Sequence, residues 1–312
     1  MTLQTTYDLV GIKEDISDVI SNIAPTKTPF QTSIRDESVD NTFFQWQEDD
    51  LAAVGSNAQV DGFDVQRPQV SALSTPGTYV GTLAAVATVM RSNYTQILQK
   101  TIRVSGTADR VRKYGRDKEL AYQKAKRSAE LKRDLEHAFV GLAQTATAGN
   151  ASTARLLASA SSQIDASVRV TNGSATALTE NMILTANQNL YNAGSDASII
   201  MCKPADSLVI ANFAYRASGA ERRRDVGDST RIINAVDFYR SPFGEQRVVL
   251  NRFINTGHCI IYDPDQWRKV VLRPWFQETL GKTGDNTAVL LAGEYSLKHR
   301  NFKASSFINN LT

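Results

Sequence analysis

The sequence is poor in the residues that build metal sites, disulfide frameworks and thiol active sites. Its 312 residues include two cysteines, Cys202 and Cys259, and three histidines. Each cysteine lies inside an apolar run with no CxxC pair, and no two of the histidines His137, His258 and His299 have the helical spacing of a metal-ligand pair. We therefore predict two reduced core thiols, a reducing compartment, and neither a metal centre nor a cysteine nucleophile.

Long apolar runs are also missing. The longest clearly apolar stretch is LAAVATVM at residues 83–90, whereas a membrane-spanning helix needs about 20 apolar residues. The amino-terminal stretch MTLQTTYDLVGIKEDI carries acidic residues and has no apolar signal core. The sequence therefore predicts neither secretion nor a membrane partner.

Motifs for catalysis and cofactor binding are absent as well. No GxSxG nucleophile motif occurs, and the GKT at residues 281–283 has Phe276 where a phosphate loop requires a glycine. Carboxylate pairs such as Glu130 and Asp134 are common on solvated helix faces. We predict that the chain holds no cofactor and is not an enzyme.

The overall charge balance is modest. With 42% hydrophobic and 21% charged residues the composition is ordinary for a soluble protein, and the formal net charge of +3 permits attraction to polyanions without requiring it. The most conspicuous charge run, ERRRD, contains Arg222, Arg223 and Arg224. This run could bind phosphate, but contact with a neighbouring subunit or with water is the favoured interpretation.

Residues 1–40 have the features of an arm. Residues 8–23 are weakly amphipathic, and Pro25 and Pro29 push the residues before them toward extended geometry. We predict at most one short helix in this segment. An extended arm of about 40 residues reaches on the order of 100 Å, which suggests contacts with other molecules.

From Thr42 the pattern has a period of two. Thr42, Phe44 and Trp46 fall on one face of a strand, and a polar, glycine-bearing passage follows at residues 48–81. Further β-like runs lie at residues 82–90 and 101–104. Because long loops in compact domains are usually functional, we interpret residues 42–104 as a two-stranded ribbon that projects from the body.

Residues 115–144 predict one long helix, since they contain no proline and no glycine between Gly115 and Gly141. Small and apolar side chains recur at three- and four-residue steps and form a single stripe. The large members of this predicted helix core are Leu120, Leu131, Leu135, Phe139 and Leu142.

The same helix is basic, so it could lie along a nucleic acid or serve as a rigid rod that reads no base. Its basic residues are interleaved with acidic ones, and the pairs Lys126 with Glu130 and Lys132 with Glu136 are spaced to bond along the surface. No recognisable DNA-docking motif accompanies it. We expect only weak, unspecific contact with packed polyanion.

An α/β module begins near Leu178, after a small-residue segment that we expect to be irregular with a turn of helix. Thr179 caps a predicted helix, ASIIMCKP predicts a buried strand, and ADSLVIANF predicts a second helix. Further strands are predicted at RIINAVDFY, RVVLN, HCIIYDP and KVVLR. Residues 289–311 are strand material again, so the chain ends in a sheet.

Taken in order, these features resemble a tailed-bacteriophage major capsid protein with the Hong Kong 97-type fold, and most closely the SU-ten-type major head protein family. The resemblance spans nearly the whole chain. It is carried by SNIAPTKTPFQTSI, YTQILQKTIRVSGTADRVRKYGRDKELAYQKAKRSAELKRDLEHAF, NASTARLLA, ALTENMI, YRSPFGEQRVVLNRF and LRPWFQETLGKTGDNTAVLLAGEYSLKHRNFKASSFINNL.

The resemblance implies an α+β fold with an arm at residues 1–40, an extended hairpin called the E-loop at 41–104, and an axial domain at 178–264. The peripheral domain comprises residues 105–177, with the long spine helix, and the closing strands at 265–312. We predict assembly contacts at Pro29, Phe30, Phe44, Trp46, Arg222, Arg223 and Arg224.

The implied function is structural: copies of the chain form the hexamers and pentamers of an icosahedral phage head around double-stranded DNA. Scaffolding, portal and decoration proteins are further expected partners, and the virion, assembled in the host bacterial cytoplasm, is the expected location. Two alternatives stay open. The chain could be the shell of an encapsulin-like cellular compartment or, less favoured, a non-specific nucleic-acid-binding protein.

Overall fold

The computed structural model describes residues 26–51, 61, 88–216 and 238–312, which divide into two units. Residues 44–92 belong to the smaller unit, and the rest belongs to the larger one. Several sequence predictions lie outside the described residues: the amphipathic stretch at 8–23, most of the polar passage at 48–81, and Arg222, Arg223 and Arg224.

A four-stranded sheet forms one layer of the larger unit. Its strand order is β1 (Arg35–Ser38), β10 (Trp267–Thr279), β11 (Asn286–His299) and β4 (Gln96–Ser105). β1 runs parallel to β10, and the other neighbouring pairs are antiparallel. The central strand β11 is buried along most of its length, which explains why its sequence AVLLAGEYSL lacks polar alternation.

The long helix α3 (Glu119–Glu136) packs on this sheet and continues into a five-residue π-helix, His137–Gly141. Its predicted start at residue 115 is too early, because Gly115 has a φ of 73° and belongs to a turn. Its predicted end at residue 144 is too late, because Leu142 is already extended with φ −91° and ψ 126°. The helix is therefore confirmed but shorter than predicted.

A six-stranded sheet forms the second layer of the larger unit. Its order is β5 (Val170–Thr176), β12 (Ser306–Leu311), β9 (Cys259–Tyr262), β6 (Ile199–Cys202), β8 (Gly244–Leu250) and β7 (Phe238–Ser241). Helices α5 (Glu180–Asn192) and α6 (Pro204–Arg216) accompany it. Ile183, Leu190, Ile200 and Ile261 share one buried cluster between these elements.

Most element types predicted for this layer are confirmed. The Thr179 hydroxyl accepts a hydrogen bond from the Met182 amide and caps α5, as the sequence predicts. Cys202 and Cys259 are free thiols buried in β6 and β9. The one-turn helix α4 (Ala160–Gln163) interrupts the irregular small-residue segment.

Two strands lie in sheets that the sequence did not indicate. β4 contains the run at 101–104 that was predicted to belong to the ribbon, but it pairs with β11 in the four-stranded sheet. β12 was grouped with the other closing strands, but it pairs with β9 and β5 in the six-stranded sheet. Each pairing joins residues far apart in sequence, so no local pattern identifies the partner.

The remaining sheet has two strands, β2 (Phe43–Glu48) and β3 (Val89–Tyr94). The predicted alternation in β2 is confirmed, since Trp46 and Glu48 are buried while Gln45 and Gln47 are exposed. Two short helices, α1 (Pro29–Ser33) and α2 (Gly106–Arg110), complete the described α-helices. No helix in the described ranges is long and apolar enough to cross a membrane.

Candidate assembly surfaces

The carboxyl end of the arm is anchored in the core of its own subunit. Phe30, on α1, is fully buried, and its ring centroid lies 6.2 Å from that of Phe139, 5.2 Å from Tyr262 and 5.7 Å from Trp267. Pro29 occupies the first turn of α1 and is half-buried. The predicted assembly contact at Phe30 is therefore corrected, because a side chain with no exposed surface cannot contact a neighbouring copy.

Glu136, at the end of α3, holds the backbone of this anchor. Its carboxylate accepts hydrogen bonds from the Phe30 amide at 2.8 Å, the Gln31 amide at 2.9 Å and the Asn251 side chain at 2.7 Å. Burial raises the pKa of Glu136, and the three hydrogen bonds oppose that shift. The carboxylate thereby satisfies two amide groups at the start of α1 that the helix itself leaves free.

The predicted surface pairs along α3 are replaced by other contacts. Glu136 is buried and bonds the arm instead of Lys132. Glu130 pairs with Arg127 at 2.7 Å and with Lys100 of β4 at 3.0 Å instead of with Lys126. Sequence reasoning missed the role of Glu136, because its spacing from Lys132 indicated a surface pair and its partners on the arm are distant in sequence.

The predicted core of the spine helix is confirmed at three of five positions. Leu131, Leu135 and Phe139 are buried, and Leu120 is half-buried against the cluster that contains Leu131. Leu142 is 42% exposed. The prediction fails there because the helix ends at Gly141 and the next residue leaves the stripe.

An ionic network around the buried Glu294 of β11, which the sequence analysis missed, joins three segments. Its carboxylate accepts hydrogen bonds from Thr95 at 2.6 Å, from Arg273 of β10 at 3.0 Å, and from Arg155. Arg155 also donates to the Thr95 carbonyl at 2.6 Å. A glutamate inside the apolar run AVLLAGEYSL was the available signal, since a buried charge requires partners.

A serine–histidine pair lies in the core rather than at a surface. The Ser305 hydroxyl is 3.0 Å from His299 Nε2 and accepts a hydrogen bond from the Trp267 indole at 2.9 Å. The Trp267 and His299 rings stack at 3.9 Å. All three side chains are fully buried, so we interpret the set as structural. Within the described ranges, no group of three acidic, histidine or cysteine side chains could hold a metal ion.

The two predicted contact residues in β2 lie side by side. Phe44 is half-buried, Trp46 is buried, and their rings stack with centroids 5.7 Å apart. Across the two-stranded sheet, Arg91 pairs with Glu48 at 2.6 Å. Among the described residues of the smaller unit, Leu51, Val89 and Met90 are large apolar side chains that remain exposed.

The six-stranded layer carries exposed apolar side chains that the sequence analysis did not select. Tyr191 on α5 and Phe238 on β7 are each 61% exposed, and Leu208 on α6 and Leu250 on β8 are more than half exposed. Tyr191 also contacts Phe243, with ring centroids 5.8 Å apart. Neighbouring residues on the same elements, such as Ile210 and Tyr239, are buried, so these elements have apolar residues on two faces.

This architecture of two sheets, a long spine helix and a two-stranded hairpin is that of a Hong Kong 97-type capsid protein. The capsid of a native GTA particle matches with a TM-score of 0.62 and 12% identity over 98% of both chains. Gordonia phage Cozz matches with a TM-score of 0.59 and 14% identity over 97% of this chain and 92% of that one. The SrpI encapsulin of Synechococcus elongatus PCC 7942 shares the fold at 9% identity, with a TM-score of 0.55 and coverage of 94% and 92%.

The family follows from the sequence itself. The family model for the SU10 major capsid protein matches residues 2–312, so the chain belongs to that family. The major capsid protein of Escherichia phage Phieco32 is 30% identical over an alignment of 355 positions. The alignment covers 98% of this chain and 96% of the relative. The chain is a structural protein, the major capsid protein of a tailed phage, and its place is the virion. The encapsulin is related to it by fold alone.

Proposed function

We propose that copies of this chain close into an icosahedral shell of hexamers and pentamers that encloses double-stranded DNA. The observation that carries the proposal is the set of exposed apolar side chains on the six-stranded layer: Tyr191, Leu208, Phe238 and Leu250. Four large apolar side chains exposed on one layer are candidates for a protein contact, and a repeated contact around an axis would cover them on every copy. The part of the layer that residues 178–264 supply would then be the axial domain, with its tip at the capsomer centre.

The smaller unit supplies the second set of contacts in this proposal. The exposed Leu51, Val89 and Met90 would be covered by an adjacent copy, as expected of an E-loop. Each contact can be modest, because a closed shell repeats it many times and holds every copy through several neighbours. The wider domain division into arm, E-loop, peripheral and axial segments belongs to the same proposal.

A second proposed contact is with the packaged DNA. The segment before α3 exposes Arg110, Arg112 and Lys118. Such contacts would be unspecific and would weaken steeply as salt rises. Assembly in the host bacterial cytoplasm, with scaffolding, portal and decoration proteins as partners, completes the proposal.

Electron microscopy of the purified full-length protein tests the proposal. We expect closed shells of uniform size, with double-stranded DNA in particles taken from infected cells. Shells that instead contain a packaged enzyme would indicate a cellular compartment. A monomer that binds DNA in a salt-dependent way and forms no particle would contradict the proposal.

A further inference from the structure

The two cysteines of the chain lie at the same end of two paired strands. Cys202 is the last residue of β6, and Cys259 is the first residue of β9. The two strands are antiparallel, and Met201 pairs with Ile260. Extending this register by one residue places Cys202 directly opposite Cys259.

The two thiols lie on the same face of the six-stranded sheet. Cys202 and Cys259 belong, together with Ile200, to one buried cluster. Their neighbours Met201 and Ile260 belong to a different cluster. Because successive side chains of a strand point to opposite faces of a sheet, this division places both thiols on one face.

The backbone bonds at this position bring the two cysteines close together. The carbonyl of Cys202 accepts a hydrogen bond of 3.0 Å from the amide of Asn251, the residue after β8, and β8 flanks β6 on the side away from β9. The N–H and C=O groups of a strand residue point to the same side, so Cys202 and Cys259 form a pair without backbone hydrogen bonds between them. Opposite residues in such pairs have Cα atoms about 4.5 Å apart. Disulfides form at Cα separations of about 4.4–6.8 Å.

Both thiols are shielded while the strands stay paired. Neither cysteine has exposed surface. Burial raises the pKa of Cys202 to about 12, and Asp206 adds to the shift. Burial also raises the pKa of Cys259, and Cys202 and Asp206 raise it further. Because the thiolate is the reactive form of cysteine, we expect both residues to stay reduced in the closed fold.

We propose that Cys202 and Cys259 are a redox-sensitive pair, which peroxide converts into a disulfide between β6 and β9 of one subunit. The strand register already places the two residues opposite each other, so the bridge forms without a change of strand partners. It joins the two ends of segment 203–258 and thereby restricts the unfolded chain, which stabilises the fold. The bridge lies within one chain and does not depend on the proposed shell.

The reaction begins when the strand ends open. Cys259 directly follows the loop of residues 251–258, and Asn251 of that loop bonds Cys202. The ends of an element open locally at a lower free-energy cost than the core of a sheet. Peroxide then oxidises one thiol to a sulfenic acid and releases a water molecule. The second thiol attacks the sulfenic sulfur, forms the S–S bond and releases a second water, so two thiols and one peroxide give one disulfide and two waters.

Counting free thiols in the full-length protein tests the proposal. The reduced protein is treated with hydrogen peroxide, unfolded and alkylated with N-ethylmaleimide, and intact mass spectrometry counts the alkylated thiols. We expect two alkylated thiols before treatment, none after it at monomer mass, and two again after reduction with dithiothreitol. Proteolysis of the oxidised chain should yield one peptide pair linked through Cys202 and Cys259. Two alkylated thiols after treatment, a covalent dimer, or sulfinic and sulfonic acids without the linked pair would each overturn the proposal.

Thermal unfolding gives an independent readout. Because the bridge restricts the unfolded chain, peroxide treatment should raise the Tm of the wild-type protein by about 5 °C, and dithiothreitol should reverse the rise. Cys202→Ala and Cys259→Ala are the matched controls, since each keeps one thiol and can form no bridge within the chain. Peroxide should leave the Tm of both variants without a rise. An equal rise in these variants, or none in the wild type, would contradict a stabilising disulfide at this site.

Discussion

At the scale of single residues, one carboxylate joins three parts of the chain. Glu136 belongs to the spine helix. Its carboxyl oxygens accept hydrogen bonds from the Phe30 and Gln31 amides of the arm and from the Asn251 side chain. The side chain is buried, and the three donors hold its carboxyl group in one position. These bonds fix the Phe30 end of the arm on its own subunit.

Replacing Glu136 with Gln tests this role. The glutamine amide nitrogen cannot accept a hydrogen bond, so one arm amide loses its partner, and we expect a loss of about 1–3 kcal/mol in the free energy of unfolding. Denaturant unfolding of Glu136→Gln and wild type measures this loss. Unchanged stability would show that the bonds to the arm contribute nothing.

The raised pKa of Glu136 also predicts a pH dependence. A carboxyl that binds its proton more tightly in the folded state contributes stability that is present at low pH and is lost as the pH rises through its folded-state pKa. Wild type should therefore gain stability relative to Glu136→Gln as the pH falls through the folded-state pKa of Glu136 toward its ordinary value of 4.5. Glu130→Gln is the control with the opposite slope. Burial raises the pKa of Glu130, but its bonds to Arg127 and Lys100 outweigh burial and lower it.

The apolar stripe of α3 supplies a matched pair of substitutions. Leu135 is fully buried, whereas Leu142 is 42% exposed. Leu135→Asp places an unpaired carboxylate in the core and should cost about 4 kcal/mol or more, whereas Leu142→Asp should stay within about 0.5 kcal/mol. Thermal unfolding of the two single-substitution variants measures the difference in stability. Similar stabilities would mean that the stripe is not the core of the subunit.

At the scale of elements, local patterns predict what a segment is better than where it pairs. The helix of residues 119–136, the Thr179 cap and the alternation in β2 follow from period and capping, which are properties of neighbouring residues. The partners of β4 and β12 depend on chain segments distant in sequence, so they could not be read from local period. The network around Glu294 joins three such segments and was missed for the same reason.

The two-stranded element supplies a prediction about assembly. Deleting residues 49–87 and joining Glu48 to Thr88 through an Asn-Gly turn removes the connection between β2 and β3 while keeping both strands. We expect a folded subunit that does not close shells, because contacts between copies are lost and the buried core is kept. Circular dichroism and electron microscopy measure the two properties. Normal shells from this variant would contradict the assignment of the segment as an E-loop.

At the scale of the whole molecule, the large apolar side chains form two sets, one buried within the subunit and one exposed on its surface. The rings around Phe30 and the clusters under both sheets are buried within one subunit. Other large apolar side chains on the six-stranded layer remain exposed among the described residues. We expect this exposed set to form the contacts between copies.

The central claim is that a shell buries the apolar residues that the single subunit leaves open. A cryo-electron microscopy reconstruction of particles assembled from the wild-type protein measures this directly, through the accessible area of Tyr191, Leu208, Phe238 and Leu250. The account predicts that these side chains are buried against adjacent copies around the capsomer axes. A closed shell in which all four stay exposed to solvent would contradict it.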